Sequence, residues 1–556
     1  MSDPATPRPI PAPPDFPVTW ERPEQERLFW THDRMHWPDP LPIVYASLVP
    51  EDGVNRAAER YQAPIRFDAA RINGYQYSSF HPPLVPPEEL EAMGHRAQEK
   101  VGQAMARLGE IWETEWFPEI KQHLDYWRSY DLRGATMPQL LDHLDQTLKR
   151  HQRLWTIHFE VAFPMLMSVS LFDDFYRDTL GGEGAFDAYK LLQGFTTKTV
   201  ESGEELWKLS RKALGIPSVR QVLETRAAQE VIPALEASAE GRAFLADLRA
   251  YLDVYGRRGD KFDMMGQPSW IEDPTPVIKN LKDFIGQPDR DLEAERAALV
   301  AEREQAIATA REKLKGYPRQ VVEQFEFLLR AAQTGIVLSE DHGYWIDYCG
   351  QYEVRMVLLE FGRRFAAAGL LDRAEDVVHL TFEEIAETAA SLPRIDRRGL
   401  VAERKAEIER FRQVQPPPAL GTPPPGPPPD DALSRAMGKF FGAPPAPVTD
   451  RSLLKGAAGS PGKVRGTARV VRSLAEAARL LKGDVLVAET TAPPWTPLFA
   501  TAAAVVTDTG GILSHCAVVA REYGIPAVVG VGAATAVIKD GQTVEVDGDA
   551  GLVRVL

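Results

Sequence analysis

Residues Thr507 to Gly530 read TDTGGILSHCAVVAREYGIPAVVG. A short apolar strand running into Thr507 ends in the glycine pair Gly510-Gly511. A few residues on, Ser514 stands where a helix N-cap is expected, with His515 as the first helical residue. That helix is predicted to stop at Gly524, with Pro526 beyond it, before the next β-branched run begins. Paired glycines let a backbone turn tightly and approach a ligand. The open N–H groups and the positive end of the helix dipole favour an anion such as phosphate beside His515. The same positive end disfavours imidazolium, which keeps His515 neutral with a ring lone pair, the form a nucleophile needs. A lone histidine in such a place is equally an ordinary surface or satisfied buried residue, so these residues alone leave its role open.

Working outward, the runs GTARVV, DVLVAE, AAVVTD, AVVG, TVEVDG and LVRVL are short, β-rich and bounded by Gly, Asp or Pro. A helix over SLAEAARLL is expected among them, opened by a capping box from Ser473 to Glu476. Residues 451–556 therefore read as a small α/β domain. Residues 413–450 read as a proline-rich linker, in which Pro416 to Pro429 holds nine prolines in fourteen residues and Pro444 to Pro447 forms a second cluster. The first stretch is expected to be an extended, semi-rigid spacer reaching roughly 40 Å. Residues 86–412 carry apolar positions at helical spacing, as in PEELEAMGHRAQEKVGQAMARLGEIWETEW, and predict a mainly helical domain. Residues 1–85, rich in proline and tryptophan, are expected to form an irregular cap, with Asn73-Gly74 as a hairpin turn.

The 556 residues carry 64 Lys and Arg against 79 Asp and Glu, a formal charge of −15. No general basic field exists to gather nucleic acid or an anionic membrane, so neither is expected as a partner. With two cysteines in the whole chain, a disulfide framework and a thiolate metal cluster are both excluded, and no metal site is expected. The N-terminal sequence lacks a signal-peptide pattern, and no run of about 18 uninterrupted apolar residues suggests a membrane span. A cytoplasmic enzyme is expected.

The 507–530 string resembles the phosphohistidine signature of the PEP-utilising enzyme family, which includes phosphoenolpyruvate synthase and pyruvate phosphate dikinase. The matching positions are Thr509, Gly510, Gly511, Ser514, His515, Ala520, Arg521, Glu522, Gly524, Ile525, Pro526, Ala527 and Val528. GSPGKVRGTARVV and GDVLVAETTAPPWTPLF extend the resemblance over roughly residues 452–556. It implies a swivelling β/β/α domain whose His515 is the phosphohistidine, with Thr509, Gly510, Gly511, Ser514 and Arg521 around the phosphoryl group. Cys516 departs from the family's alanine and is expected to be a packing residue.

The helical part resembles the acceptor-binding domain of the rifampicin phosphotransferases and, in layout, the two-component aryl phosphate synthases of the phenylphosphate and 4-methylbenzyl phosphate type. The strings are YGRRGDKFDMMGQPSWIEDP, SEDHGYWIDYCGQYEVR, LLDRAEDVVHLTFEEI and WTHDRMHWPDPLP. Rifampicin-type enzymes usually have His-Arg-Gly where this chain has Arg257-Arg258-Gly259. His158, Arg258, Asp341, His342 and Asp347 are candidates for binding an acceptor hydroxyl or taking its proton; each is equally the stuff of helix ion pairs and caps. Neither a Walker loop nor ATP-grasp lobes nor a βα barrel can be read before residue 450. The resemblance therefore implies a phosphohistidine-carrying, acceptor-binding subunit that turns ATP, a phenolic acceptor and water into aryl phosphate, AMP and phosphate. ATP and Mg²⁺ would sit on a separate ATP-grasp subunit. An antibiotic phosphotransferase component and a non-enzymatic phosphocarrier are the alternatives.

Overall fold

The structure, a computed structural model, describes residues 8–181, 184, 186–426, 430–442 and 450–556. The expected proline cluster at Pro444 to Pro447 and the end of the spacer, Pro427 to Pro429, lie outside the described residues.

A two-residue hairpin turn that matches strand twist needs positive φ at both positions, which is why Asn-Gly suits it. Asn73 (φ 52°) and Gly74 (φ 88°) adopt this turn, and Ile72 pairs with Tyr75 across it. The strands are β1 (Phe29–His32), β2 (Arg66–Ile72), β3 (Tyr75–His81) and β4 (Ala419–Gly421), in the order β2-β3-β1-β4. Within the cap expected over 1–85, the described residues 8–85 are thus not irregular, because they supply three strands of a sheet and a helix, Glu51–Tyr61.

The spacer is corrected by the same sheet. Its start docks as edge strand β4, with Trp30 opposite Leu420 and Phe29 opposite Gly421. The Tyr77 hydroxyl donates to the Pro417 carbonyl at 2.7 Å, and the His32 amide to Pro418 at 3.1 Å. Proline cannot donate to a ladder, yet at a sheet edge its carbonyl can still accept. The apolar core here joins Phe16, Trp30, Tyr75 and Tyr77 to Phe411 and Leu420.

By packing, the chain divides into two units: Met1–Pro164 with Phe262–Gln267 and Trp345–Pro429, and Met165–Lys261 with Pro268–Tyr344 and Asp430–Leu556. The helical segment expected over 86–412 is therefore shared between them, and the C-terminal domain groups with the middle of the chain. Pro164 lies inside a helix spanning Met137–Leu180. An 18-residue window of that helix has a mean hydropathy of 1.3 and is 72% buried within the fold, as the core helix of a folded domain is.

In the second unit, helices including Lys198–Leu214, Ala239–Tyr255, Leu292–Lys313 and Arg319–Gly343 accompany an eight-stranded sheet. Its strands are β5 (Leu453–Lys455), β6 (Ala457–Ser460), β7 (Lys463–Val470), β8 (Val485–Ala488), β9 (Ala504–Thr507), β10 (Ala527–Val529), β11 (Thr543–Asp547) and β12 (Leu552–Val555). Their order is β5-β12-β11-β7-β8-β9-β10-β6. β7 to β10 run parallel and the outer pairs antiparallel. β8 and β9 are buried along their whole length, which explains their unbroken apolar sequences. The helix expected at SLAEAARLL is a 3₁₀ turn over Leu474–Arg479. No capping box forms there: the Glu476 carboxylate accepts from the Arg472 amide at 3.4 Å instead.

Candidate functional site

Parallel strands deliver their C-terminal ends to one edge, where ligand sites of α/β sheets gather. The loop leaving β9 at that edge carries residues 508–514 into a helix over His515–Glu522. The C-terminal domain rests there on the helices of its own unit. Gly194 donates its amide to the Glu522 carboxylate (3.0 Å), the Trp495 indole donates to the Asp260 carbonyl (2.9 Å), and Arg290 donates to the Ala500 carbonyl (2.9 Å).

His515 takes part in this contact through Glu340. Its Nδ1 stands 3.2 Å from Glu340 Oε1, its side chain is only 10% exposed, and its ring makes a T-shaped contact with that of Phe499, 6.5 Å between centroids. Nε2 is buried and has no hydrogen-bond partner among the described residues. Glu340 projects from the Arg319–Gly343 helix, and its other oxygen accepts from the Thr199 hydroxyl at 2.7 Å. Burial alone pushes the Glu340 carboxyl up, but the His515 imidazole, that hydroxyl and the charge of Arg258 together hold it below the usual carboxylate range. An ionised carboxylate on Nδ1 fixes the tautomer with hydrogen on Nδ1 and the lone pair on Nε2, as a buried aspartate does in a Ser-His-Asp triad. The arrangement can therefore present Nε2 as a nucleophile toward phosphorus.

Of the other expected phosphate-site residues, most are engaged by their own chain. The Thr509 hydroxyl donates to the Glu489 carbonyl at 3.0 Å. Gly510 takes φ +94°. Gly511 gives its amide to the Phe440 carbonyl (2.8 Å), and Leu513 gives its amide to Lys439 (2.8 Å). Gly511 thus makes room for the end of a helix over Ala432–Phe441 and gives its amide to it, while a Cβ at Gly510 would meet the Ser514 side chain. Ser514 is the N-cap residue but its hydroxyl makes no cap bond; its buried Oγ has no partner among the described residues. Arg521 is buried, donates to the carbonyls of Gly459 (2.7 Å) and Ile512 (3.0 Å), and lies 4.5 Å over the Tyr189 ring. It serves as a structural tie. Burial pushes the Cys516 thiol up to about 12 against the pull of the Thr491 and Thr507 hydroxyls, which favours the protonated thiol over the thiolate.

The five acceptor candidates fall into two groups. His158 and Asp347 meet in the first unit, Nδ1 to Oδ1 at 2.9 Å, with the Trp155 and Phe159 rings at 4.9 and 4.7 Å. Arg258, Asp341 and His342 belong to the second unit. Arg258 is 2% exposed, donates to the Lys198 carbonyl at 3.2 Å, and lies 4.9 Å over the Tyr344 ring. Asp341 accepts from the Lys198 amide, at the start of the Lys198–Leu214 helix, at 2.7 Å, and burial raises its carboxyl to about 6. His342 bonds through Nδ1 to the Leu338 carbonyl of its own helix. Sequence reasoning missed Glu340 and Thr199, and had Glu522 only as a matching position of the signature. The SEDHGYW string did mark the right turn of helix, but successive helical residues point about 100° apart, so Glu340 and not Asp341 reaches His515. A cavity of about 20 Å³ beside the pair is lined by residues including Phe195, Thr199, Ile336, Glu522 and Tyr523. That is room for about one water molecule.

Residues 480–551 match the profile of the PEP-utilising enzyme mobile domain, and residues 158–340 that of the rifampicin phosphotransferase fourth domain. Each profile covers less than half of the chain, and the two matches do not overlap. The chain is 43% identical over 98% of its length to a stretch of chondramide synthase cmdD of Chondromyces crocatus, covering 14% of that protein. It is 27% identical over 95% of its length to the phosphotransferase YvkC of Bacillus subtilis, covering 62% of it. It is 31% identical over 77% of its length to rifampicin phosphotransferase of Streptomyces sviceus, covering 48% of it. The chain therefore spans less than two thirds of each of these relatives.

Proposed function

We propose that this chain is the phosphohistidine-carrying, acceptor-binding part of an ATP-dependent phosphotransferase, with ATP and Mg²⁺ held by a separate ATP-grasp subunit. The observation that carries the reading is His515, whose Nδ1 rests on Glu340 while Nε2 is buried and unbonded among the described residues. Nε2 takes a phosphoryl group at the partner subunit, the domain swings back, and the group passes to an acceptor hydroxyl. The proposed acceptor is a small aromatic alcohol or phenol, giving aryl phosphate, AMP and phosphate overall. A phenol ionises near pH 10, so a base beside an apolar wall suits its activation. Before residue 450 the described elements are helices and one four-stranded antiparallel sheet, which supports placing the nucleotide cradle on another subunit.

The match of residues 158–340 to a rifampicin phosphotransferase domain favours a second reading, with a bulkier antibiotic as acceptor. Phosphorylated protein challenged with phenol, methylphenols, rifampicin and pyruvate separates the readings. Discharge to phenols supports the first reading and discharge to rifampicin alone the second. Failure with every hydroxyl acceptor would point to a phosphocarrier and overturn both.

A further inference from the structure

We propose that Glu340 is a positioning residue that activates the phosphohistidine, so that His515 becomes a strong phosphoryl donor only when its domain rests on the helices. The inference builds on the phosphotransferase reading and adds a role that geometry assigns to Glu340. With phosphorus on Nε2 and no proton on Nδ1, transfer would have to expel an imidazolate, a poor leaving group. With Nδ1 protonated, the leaving group is neutral imidazole. The Nε2–P bond then breaks, its electron pair stays on Nε2, and phosphorus bonds to the acceptor oxygen. The acceptor's hydroxyl proton goes to the base that activates the acceptor and from there to solvent, while the Nδ1 proton stays between His515 and Glu340.

Three features fit Glu340 to this task. Its Oε1 is 3.2 Å from Nδ1, and both side chains are at least nine-tenths buried, so water screens the pair little. The Thr199 hydroxyl occupies the other oxygen at 2.7 Å, and the charge of Arg258 acts on the same carboxylate, which keeps it ionised rather than protonated by the imidazole. Finally, Glu340 belongs to the helical region and His515 to the C-terminal domain, so the contact exists only when the two meet. The other charged and titratable groups facing the pair are Asp341 and Glu522, whose carboxyls feel the Glu340 charge, and Tyr523 in the cavity wall. Asp341 is tied to the Lys198 amide and Glu522 to the Gly194 amide, so neither replaces Glu340 at Nδ1.

The test loads the full chain with potassium phosphoramidate, which phosphorylates imidazole without ATP or a partner subunit. Phosphate release to water is followed by ³¹P NMR from pH 5 to 9, and Nδ1 of His515 by ¹⁵N NMR. In the wild type, Nδ1 is expected to remain protonated at pH 7. In Glu340→Gln the midpoint of the release profile should fall by at least about one pH unit, with release at pH 7 slowed about tenfold. Glu340→Asp should restore part of the shift. Protection of the Gly194 amide from exchange reports that the domain is still seated in each variant. Superimposed profiles with the domain seated, or an unprotonated Nδ1 in the phosphorylated wild type at pH 7, would overturn the proposal. The unphosphorylated wild type supplies a reading that needs neither loading nor a variant: hydrogen on Nδ1 is expected, and the opposite tautomer refutes the role. Since loading here bypasses ATP, failure of ATP-dependent phosphorylation would count against the proposed function and leave this result standing.

Discussion

Gly511→Ala tests how the histidine loop is held. A Cβ at Gly511 would lie 2.2 Å from the Lys439 carbonyl oxygen and 2.7 Å from its carbon. Both are backbone atoms of the Ala432–Phe441 helix, so no side chain can swing aside to relieve the clash. The helix must move, which breaks the bonds from the Gly511 and Leu513 amides to Phe440 and Lys439. It also strains the ion pairs of Lys439 with Asp173 (2.8 Å) and Asp174 (2.6 Å). Two backbone hydrogen bonds at about 1 kcal/mol each, plus about 1–3 kcal/mol for overpacking, give a cost of ~3–5 kcal/mol for seating this helix. Trypsin reads the result, because Lys439 is 16% exposed when seated and becomes cleavable when the helix lifts. A loss of ~3 kcal/mol raises the open population, and with it the cutting rate under fast reclosing, on the order of a hundredfold. Gly438→Ala is the control with the opposite sign: its Cβ meets nothing within 4 Å, so it should strengthen the helix by about 0.5–1 kcal/mol and slow cutting. If Gly511→Ala is cut no faster than wild type, the helix does not hold the loop and the argument fails.

Gly421→Ala should undock β4, since Gly421 takes φ +72° and a Cβ there would sit 2.0 Å from the Leu28 carbonyl oxygen; faster amide exchange at Thr422 is the expected sign, and unchanged exchange would contradict it. Gly335→Val should lower the melting temperature through a cost of about 1–3 kcal/mol, because its Cβ position is 3.0 Å from the Met165 carbonyl oxygen and 2.3 Å from Ser168 Oγ; an unchanged melt refutes that close helix crossing. Burial raises the Glu522 carboxyl to about 7, against the Gly194 amide and the charge of Arg521. A carboxyl raised on folding holds its proton more tightly folded than unfolded, so its contribution is present below about pH 4.5 and is lost as pH rises toward 7. Melting should therefore depend less steeply on pH across that window in Glu522→Gln, and an identical slope would contradict the burial of this group.

The β-rich runs of the C-terminal domain were legible because each strand is short, β-branched and bounded by Gly or Asp. AAVVTD and TVEVDG fold as β9 and β11. The Asn73-Gly74 turn was legible because its chemistry is local. β4 was hidden because its partner β1 lies far away in sequence, and because proline forbids a central strand but not an edge. Gly511 shows a different limit: a missing Cβ announces a close approach without saying to what, and here the approach is to the chain's own helix end. His515 stood out from its string, whereas Glu340 did not, because which of two adjacent carboxylates reaches the imidazole depends on the helix's rotation in the fold.

Phosphorylation of His515 is the most direct test of the account. The chain is incubated with β-labelled ATP, Mg²⁺ and an ATP-grasp partner subunit, and the labelled peptide is then mapped and tested for acid and base stability. An acid-labile, base-stable label on the peptide containing His515, absent from His515→Ala and from reactions lacking the partner, is the predicted result. An acid-stable label, full labelling of His515→Ala, or stoichiometric labelling by Mg·ATP without any partner would contradict it.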